Sequence, residues 1–218
     1  MKARELNAWN VSPGEAVTIQ NQLAPFVIRD GSPRNVRLVA GIDVALPDAV
    51  TRAAVVIDSF PALSQVACAT ADCPIGFPYV PGLLSFREAP AIIAACAKIT
   101  TEPDLVIVDG QGIAHPRHLG IASHIGLILD LPTIGCAKSL LVGTHEPVGE
   151  QRGDWQPITY KGQVIGAALR TRLGTKPLYV SIGNKISLES AIHWVIACCG
   201  RYRLPEPQRQ AHHAAGSS

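Results

Sequence analysis

Two aspartates interrupt the apolar pattern of this chain. Asp43 sits inside "LVAGIDVAL", and Asp109 closes the run "LVIV". A carboxylate carried into a buried strand is costly unless it is ion-paired, hydrogen-bonded or bound to a metal. Asp43 is therefore either a salt-bridged or edge-facing residue, or a metal or catalytic group. Asp109 lies where open α/β sheets place their ligands, although an Asx turn or a helix cap also uses aspartate there. Gly110-Gln111-Gly112 follows at once. Glycines beside such a carboxylate let a substrate backbone approach closely. Glu88 is expected to open a helix, a position that the helix dipole alone favours. Asp43, Glu88 and Asp109 lie on three separate elements and can converge at one end of a sheet. An all-oxygen set of that kind suits Mg²⁺ or Mn²⁺ rather than zinc.

Other residues narrow the chemistry. His115 and His118 follow Asp109, but they show neither HExxH spacing nor cysteine partners, which argues against zinc. Lys138-Ser139 in "TIGCAKSLL" follows a buried strand, yet Ala137 stands where a phosphate loop needs glycine. Lys138 is then a point charge for a phosphate or a solvated surface lysine. Tyr79 is flanked by Pro78 on one side and by Val80 and Pro81 on the other. The prolines stiffen the backbone, so the ring is either a loop anchor packed on the core or a wedge for stacked bases. Asp48, Asp58, Asp72 and Asp130 fall at expected turns or helix ends and are assigned structural roles.

The elements that must position these groups follow from patterning. Ser12-Pro13-Gly14-Glu15 carries a capping box and a first-turn proline, predicting a helix through "AVTIQNQLAPFVI" with Pro25 near its end. Residues 36–46, 52–59 and 63–70 read as an antiparallel meander. Helices are expected over 88–99, 118–131 and 187–199, the last capped by Ser187. Buried strands are expected at 105–108 and 133–136, and further strands at 163–170 and 177–181. The tail after Leu204 is polar, with "AAGSS" expected to be disordered. The result is one domain over residues 1–218, an α/β chain with a mixed sheet and helices on both faces.

Composition sets outer limits. The 218 residues are 47% hydrophobic but only 5% aromatic, so the core must be aliphatic. Nineteen basic and seventeen acidic residues nearly cancel, so a polyanion would be held by a local patch rather than by a basic body. The first residues lack the apolar stretch of a signal peptide, and no run is long enough for a bilayer. The six cysteines form no CxxC pair. They read as reduced, mostly buried thiols of a cytoplasmic protein.

Together, "VAGIDVA" (39–45), "PYVPGLLSFRE" (78–88), "LVIVDGQGIAHPRHLGIASHIG" (105–126), "PTIGCAKSLL" (132–141) and, more weakly, "LPEPQRQAH" (204–212) resemble the endonuclease V family of deoxyinosine 3′-endonucleases. The pieces occur in the family's order over nearly the whole chain. The resemblance implies a ribonuclease-H-like fold in which the antiparallel meander is followed by parallel strands. It implies that Asp43 and Asp109 bind a divalent metal, Mg²⁺ with Mn²⁺ able to substitute, and that Glu88 is the third catalytic acid, meeting the metal directly or through water. Tyr79, with Pro78, Val80 and Pro81, matches the wedge. Gly110, Gln111, Gly112 and His115 match the lesion pocket, and Lys138 and Ser139 the phosphate contacts. His212 matches a late metal-site residue, while Gln208 departs from the hydroxyl residue of that tail motif.

The implied activity is cleavage of DNA containing deoxyinosine or other deaminated bases at the second phosphodiester bond 3′ to the lesion. The lesion stays on the nicked strand, and the ends are a 3′-hydroxyl and a 5′-phosphate. The alternatives are an inosine-specific endoribonuclease on the same scaffold and a non-catalytic binder of deaminated nucleic acid. No membrane partner is expected, and the chain is expected to act as a monomer.

Overall fold

The structure, a computed structural model, describes residues 1–47 and 50–216. Asp48, read above as a turn residue, lies outside them, as do Ser217 and Ser218. Eight strands form one mixed sheet in the order β3-β2-β1-β4-β5-β8-β7-β6. They are β1 (Leu38–Ala45), β2 (Val50–Ser59), β3 (Gln65–Pro74), β4 (Leu105–Val108), β5 (Thr133–Ala137), β6 (Trp155–Tyr160), β7 (Gln163–Leu169) and β8 (Leu178–Asn184). The helices are α1 (Pro13–Leu23), α2 (Leu84–Ala97), α3 (Ile121–Leu129), α4 (Leu188–Cys198) and α5 (Glu206–Gly216).

The first three strands make the expected meander. β4 runs parallel to β1, and β5 parallel to β4. Parallel pairing stops there, because β8 returns antiparallel to β5 and the β6-β7-β8 segment is antiparallel throughout. The central strands bury both faces. One set of side chains, including Val39, Leu105, Ile107, Ile134 and Val180, packs with Trp194 and Val195 of α4. The alternate set, including Ala40, Ile42, Val106 and Val108, packs with α2 and α3. This alternation is the period-two geometry of strands.

α1 has the capping box, with Ser12 accepting from Glu15 N and Glu15 accepting from Ser12 N, and it ends at Leu23 before a short 3₁₀ turn at Ala24–Phe26. α2 starts at Leu84, one turn before the expected start at Glu88. Pro90 suits a first turn, but burial of Ser85 and of Phe86, which packs against Phe77 and Leu83, draws the preceding residues into the helix. α3 begins at Ile121, after a turn in which His118 has φ 55°.

Two elements went unpredicted. β6 is a largely exposed edge strand in which Ile158 alone is buried. α5 occupies the polar tail through Gly216, including the start of the "AAGSS" stretch expected to be disordered. Its buried apolar stripe is Pro207, Ala211 and Ala215, the two alanines set against Ala54 and Val56 of β2. Small side chains seat its backbone close to the sheet, and Gly41 of β1 makes room, since a Cβ there would lie 2.0 Å from Pro207 O.

Asp58 is in strand β2, fully buried, rather than at a turn. Gln210 Nε2 of α5 donates to its Oδ2 at 3.1 Å. Asp72 pairs with Arg52 at 2.7 Å, and Asp130, the left-handed C-cap of α3, pairs with Arg4 and Lys185. All six cysteines are free, and Cys96, Cys136, Cys198 and Cys199 are buried. Among the described residues no helix is long and apolar enough to cross a membrane.

Candidate active site

The site forms where adjacent parallel strands end together. Ile42 pairs with Val108, so Asp43 and Asp109 are next in register, and Asp109 N donates to Ile42 O at 2.9 Å. Asp43 is 7% exposed; its Oδ1 accepts from Val44 N at 2.8 Å. Its side chain lies on the sheet face that carries α5, and Oδ2 meets His212 Nδ1 at 2.6 Å. α2 brings Glu88 from the opposite face. Glu88 is on the second turn of its helix, so burial and its acidic neighbours, not the helix N-terminus, set its state.

Those neighbours push the carboxyls upward. The Glu88 carboxyl rises to about 8, first because it is buried and then because Asp43 and Asp109 are close. Asp109 is also raised, by burial and by Asp43. Lys138, just beyond β5, opposes that shift with an ion pair of 2.5 Å to Asp109 Oδ2. Burial works against the Lys138 charge, but Asp109 and Asp43 outweigh it and raise the ammonium's pKa.

Ligand atoms of Asp43, Asp109 and His212 all lie within 4.8 Å of one another. A crowded carboxylate cluster in which Glu88 and Asp109 resist ionisation, with an imidazole beside it, fits a hard divalent cation. His212, the weakest of the sequence assignments, is thus brought to the aspartates, and α5 is what brings it.

Asp43, Glu88, Asp109 and Lys138 line a cavity of about 410 Å³, together with Tyr79, Gly110 and Ser139. A volume of that size is in the range of small-molecule pockets. Gly110 has φ 140°, and a Cβ there would strike Ile121 Cγ2 at 2.5 Å, so both backbone and space require glycine. Gln111 is buried; its Nε2 donates to Ser139 O at 2.8 Å and its Oε1 has no partner. Gly112 stands against β8 instead of in the lining: its N–H donates to Ser181 Oγ at 2.8 Å, and a Cβ would lie 2.0 Å from Ile182 O. Its glycine serves strand packing, not substrate access.

His115 is 3% exposed, and both ring nitrogens are used. Nε2 bonds Gly82 O at 2.8 Å, and Nδ1 accepts from Arg117 N at 3.2 Å. Burial lowers its pKa to about 4, which keeps the imidazole neutral with the proton on Nε2.

Tyr79 is 70% exposed. The flanking Phe77 and Leu83 are each 2% exposed and pack with Phe86, so the loop is anchored at both ends while the ring projects. Leu83 N donates to Val80 O at 2.9 Å and Gly82 has φ 79°, which with Pro81 defines a type II turn. Pro78 and Pro81 are exposed and Val80 is half-buried.

Sequence reasoning missed Gln20 and Arg117, and marked Gln208 only as a departure from the tail motif. Gln208 is fully buried and ties α5 to the end of β5 through Cys136 O at 2.9 Å. It lies one helical turn before His212, on the same face. The departure from a hydroxyl in the tail motif announced this position, but nothing in the sequence gave its partner.

A ribonuclease-H-like sheet with carboxylates at the ends of neighbouring parallel strands defines a class of nucleic-acid hydrolases. The endonuclease V family model matches residues 9–213. Endonuclease V of Gloeobacter violaceus is 51% identical over 212 residues, covering 95% of this chain and 86% of that one. The crystal structure of endonuclease V from Streptomyces avermitilis superposes with a TM-score of 0.90 at 39% identity, covering 99% of this chain and 96% of that one. Endonuclease V of Ciona intestinalis, in complex with a 23mer DNA containing an inosine followed by a ribo-adenosine, has a TM-score of 0.81 at 28% identity, covering 94% and 97%. The chain belongs to the endonuclease V family.

Proposed function

We propose that this endonuclease nicks DNA at the second phosphodiester bond 3′ to deoxyinosine and other deaminated bases, leaving a 3′-hydroxyl and a 5′-phosphate with the lesion still on the strand. The observation that carries the reading is the convergence of Asp43 and Asp109, with His212 beside them and Glu88 close enough to feel their charge, at a cavity lined by the three carboxylates and an exposed Tyr79. The inosine-containing DNA bound by the Ciona relative supports the choice of base.

Asp43, Asp109 and His212 would hold Mg²⁺, or Mn²⁺ in its place, with Glu88 meeting it directly or through water. Such an ion would supply Lewis-acid polarisation of the phosphodiester and would lower the pKa of an attacking water. Lys138 presents its ammonium to a phosphate oxygen, with Ser139 beside it. Gln111 fixes that loop from below. Tyr79, carried by Pro78, Val80 and Pro81, fills the space that a flipped base vacates. Gly110 leaves main-chain N–H and C=O groups open to the Watson–Crick edge of hypoxanthine. His115 supports the pocket from behind. The enzyme acts as a monomeric, single-domain cytoplasmic protein.

The test is a strand-cleavage assay on matched oligonucleotides carrying deoxyinosine, deoxyadenosine or, in RNA, inosine, with Mg²⁺, Mn²⁺ or a chelator. A metal-dependent nick confined to the deoxyinosine strand is expected. Cleavage in the chelator would overturn the metal assignment. Cleavage of the RNA alone would replace the DNA reading by the ribonuclease, and binding without cleavage in any metal would leave only a binder.

A further inference from the structure

Three side chains converge on one main-chain oxygen, the carbonyl of Gly82. Gln20 Nε2 of α1 donates to it at 3.0 Å, His115 Nε2 at 2.8 Å and Arg117 Nη2 at 2.8 Å. The three also bind one another or their own loop. Arg117 Nε donates to Gln20 Oε1 at 2.5 Å, Arg117 N to His115 Nδ1, and Gln20 Nε2 also to Leu119 O at 3.2 Å. Gln20 is 1% exposed, so its amide sits in a site with no room for an alternative partner in solvent. A Cβ on Gly82 would come within 2.9 Å of Arg117 Nη2 and 3.4 Å of His115 Nε2. The turn therefore has its clamp pressed against it. Gly82 is the third residue of the Val80–Leu83 turn, which begins directly after Tyr79. On the other side, the residues 115–119 that supply the clamp follow directly from Asp109 and Gly110.

We propose that Arg117 and Gln20 are positioning residues that, with His115, lock the Tyr79 turn to the pocket loop, so that the wedge is held at a set distance from the cavity that receives the base. A carbonyl with two lone pairs seldom has three donors, one of them charged, and charge-assisted bonds are the stronger ones. Holding the wedge before binding removes an ordering cost that duplex opening would otherwise carry. Single-stranded DNA has less stacking to break, so it gains less from a rigid wedge. The inference rests on the wedge reading of Tyr79.

The experiment compares Arg117→Ala and Gln20→Ala in wild-type and Tyr79→Ala backgrounds. It measures nicking of deoxyinosine in duplex and single-stranded DNA, the fluorescence of a 2-aminopurine placed next to the inosine in duplex with Ca²⁺, and the melting temperature. In the wild-type background each variant should lower the duplex-to-single-strand rate ratio roughly tenfold, corresponding to about 1.4 kcal/mol, with a matching loss of 2-aminopurine unstacking. In the Tyr79→Ala background the same substitution should change that ratio little, because the residue it positions is gone. An Arg117→Ala loss that is equal on both substrates, or as large without Tyr79 as with it, would overturn the proposal. That result would make Arg117 a phosphate contact or a purely structural residue. If Tyr79→Ala alone leaves the duplex-to-single-strand ratio unchanged, the wedge reading fails on its own, separately from the clamp.

Discussion

Replacing Gly41 by alanine should draw the C-terminal helix away from Asp43 and the proposed metal site. The added Cβ would lie 2.0 Å from Pro207 O and 2.6 Å from Gln208 N, whereas real Cβ atoms essentially never approach a heavy atom below 3.0 Å. Both obstacles are backbone, so no side chain can rotate away. α5 must withdraw by about 1 Å, the difference between 2.0 and 3.0 Å. A withdrawal of that size along the helix-to-sheet direction stretches the contact between His212 Nδ1 and Asp43 Oδ2 from 2.6 Å to about 3.6 Å, beyond hydrogen-bond range. Overpacking of this kind costs about 1–3 kcal/mol, and in a protein of this size each kcal/mol moves the melting temperature by roughly 2–4 °C. Losing a properly held histidine should weaken Mn²⁺ binding about 10–100-fold. Calorimetric titration with Mn²⁺ and a thermal melt, both without DNA, read the two effects. Gly14→Ala is the control, because a Cβ there meets nothing within 4 Å on an exposed face of α1; it should be neutral or slightly stabilising. A Gly41→Ala protein with wild-type melting temperature and wild-type Mn²⁺ affinity would refute the seating of α5 on β1.

Two further changes probe the buried carboxylates. Asp109→Ala should abolish nicking while the metal-free protein melts at the same temperature or higher, since one charge leaves a crowded acidic cluster; turnover within about tenfold of wild type would refute the assignment. Asp58→Asn should alter the pH dependence of stability. Burial first, and then Glu206, raises the Asp58 carboxyl from 3.8 to about 7, so the folded chain holds that proton more tightly than the unfolded chain. Its stabilising share is complete below about pH 3.8 and is lost as pH rises towards 7. Asparagine carries no charge at any pH, so the melting-temperature advantage of Asp58→Asn over wild type should grow across that window; a constant difference from acid to alkaline pH would show that Asp58 titrates normally.

Strong periodicity and local chemistry were enough to find most of the scaffold. The capping box at Ser12, the meander, the wholly apolar β4 and the position of Asp109 at its end are each written within a few neighbouring residues. Elements whose stability comes from distant partners were not legible. β6 belongs to the sheet because β7 pairs with it, and α5 is helical because two alanines and a buried glutamine meet Gly41, Ala54, Val56 and the Cys136 carbonyl. The reversal of β8 against β5 likewise depends on how the later chain closes over the sheet, not on any residue within β8.

The same division runs through the site. Residue types alone marked Asp43 and Asp109, because an acid inside an apolar strand or beside a glycine-rich strand end is conspicuous wherever it occurs, whereas Glu88 gained weight only as a third carboxylate in their company. The sequence could not assign the work of the glycines and histidines, since their role depends on what stands opposite. Gly112 faces Ile182 O, His115 faces Gly82 O, and His212 faces Asp43. Those partners are 70, 33 and 169 residues away along the chain. Local sequence sets backbone preference and burial, which are properties of neighbours. Which polar group meets which across the fold is set by packing, and packing is a property of the whole chain.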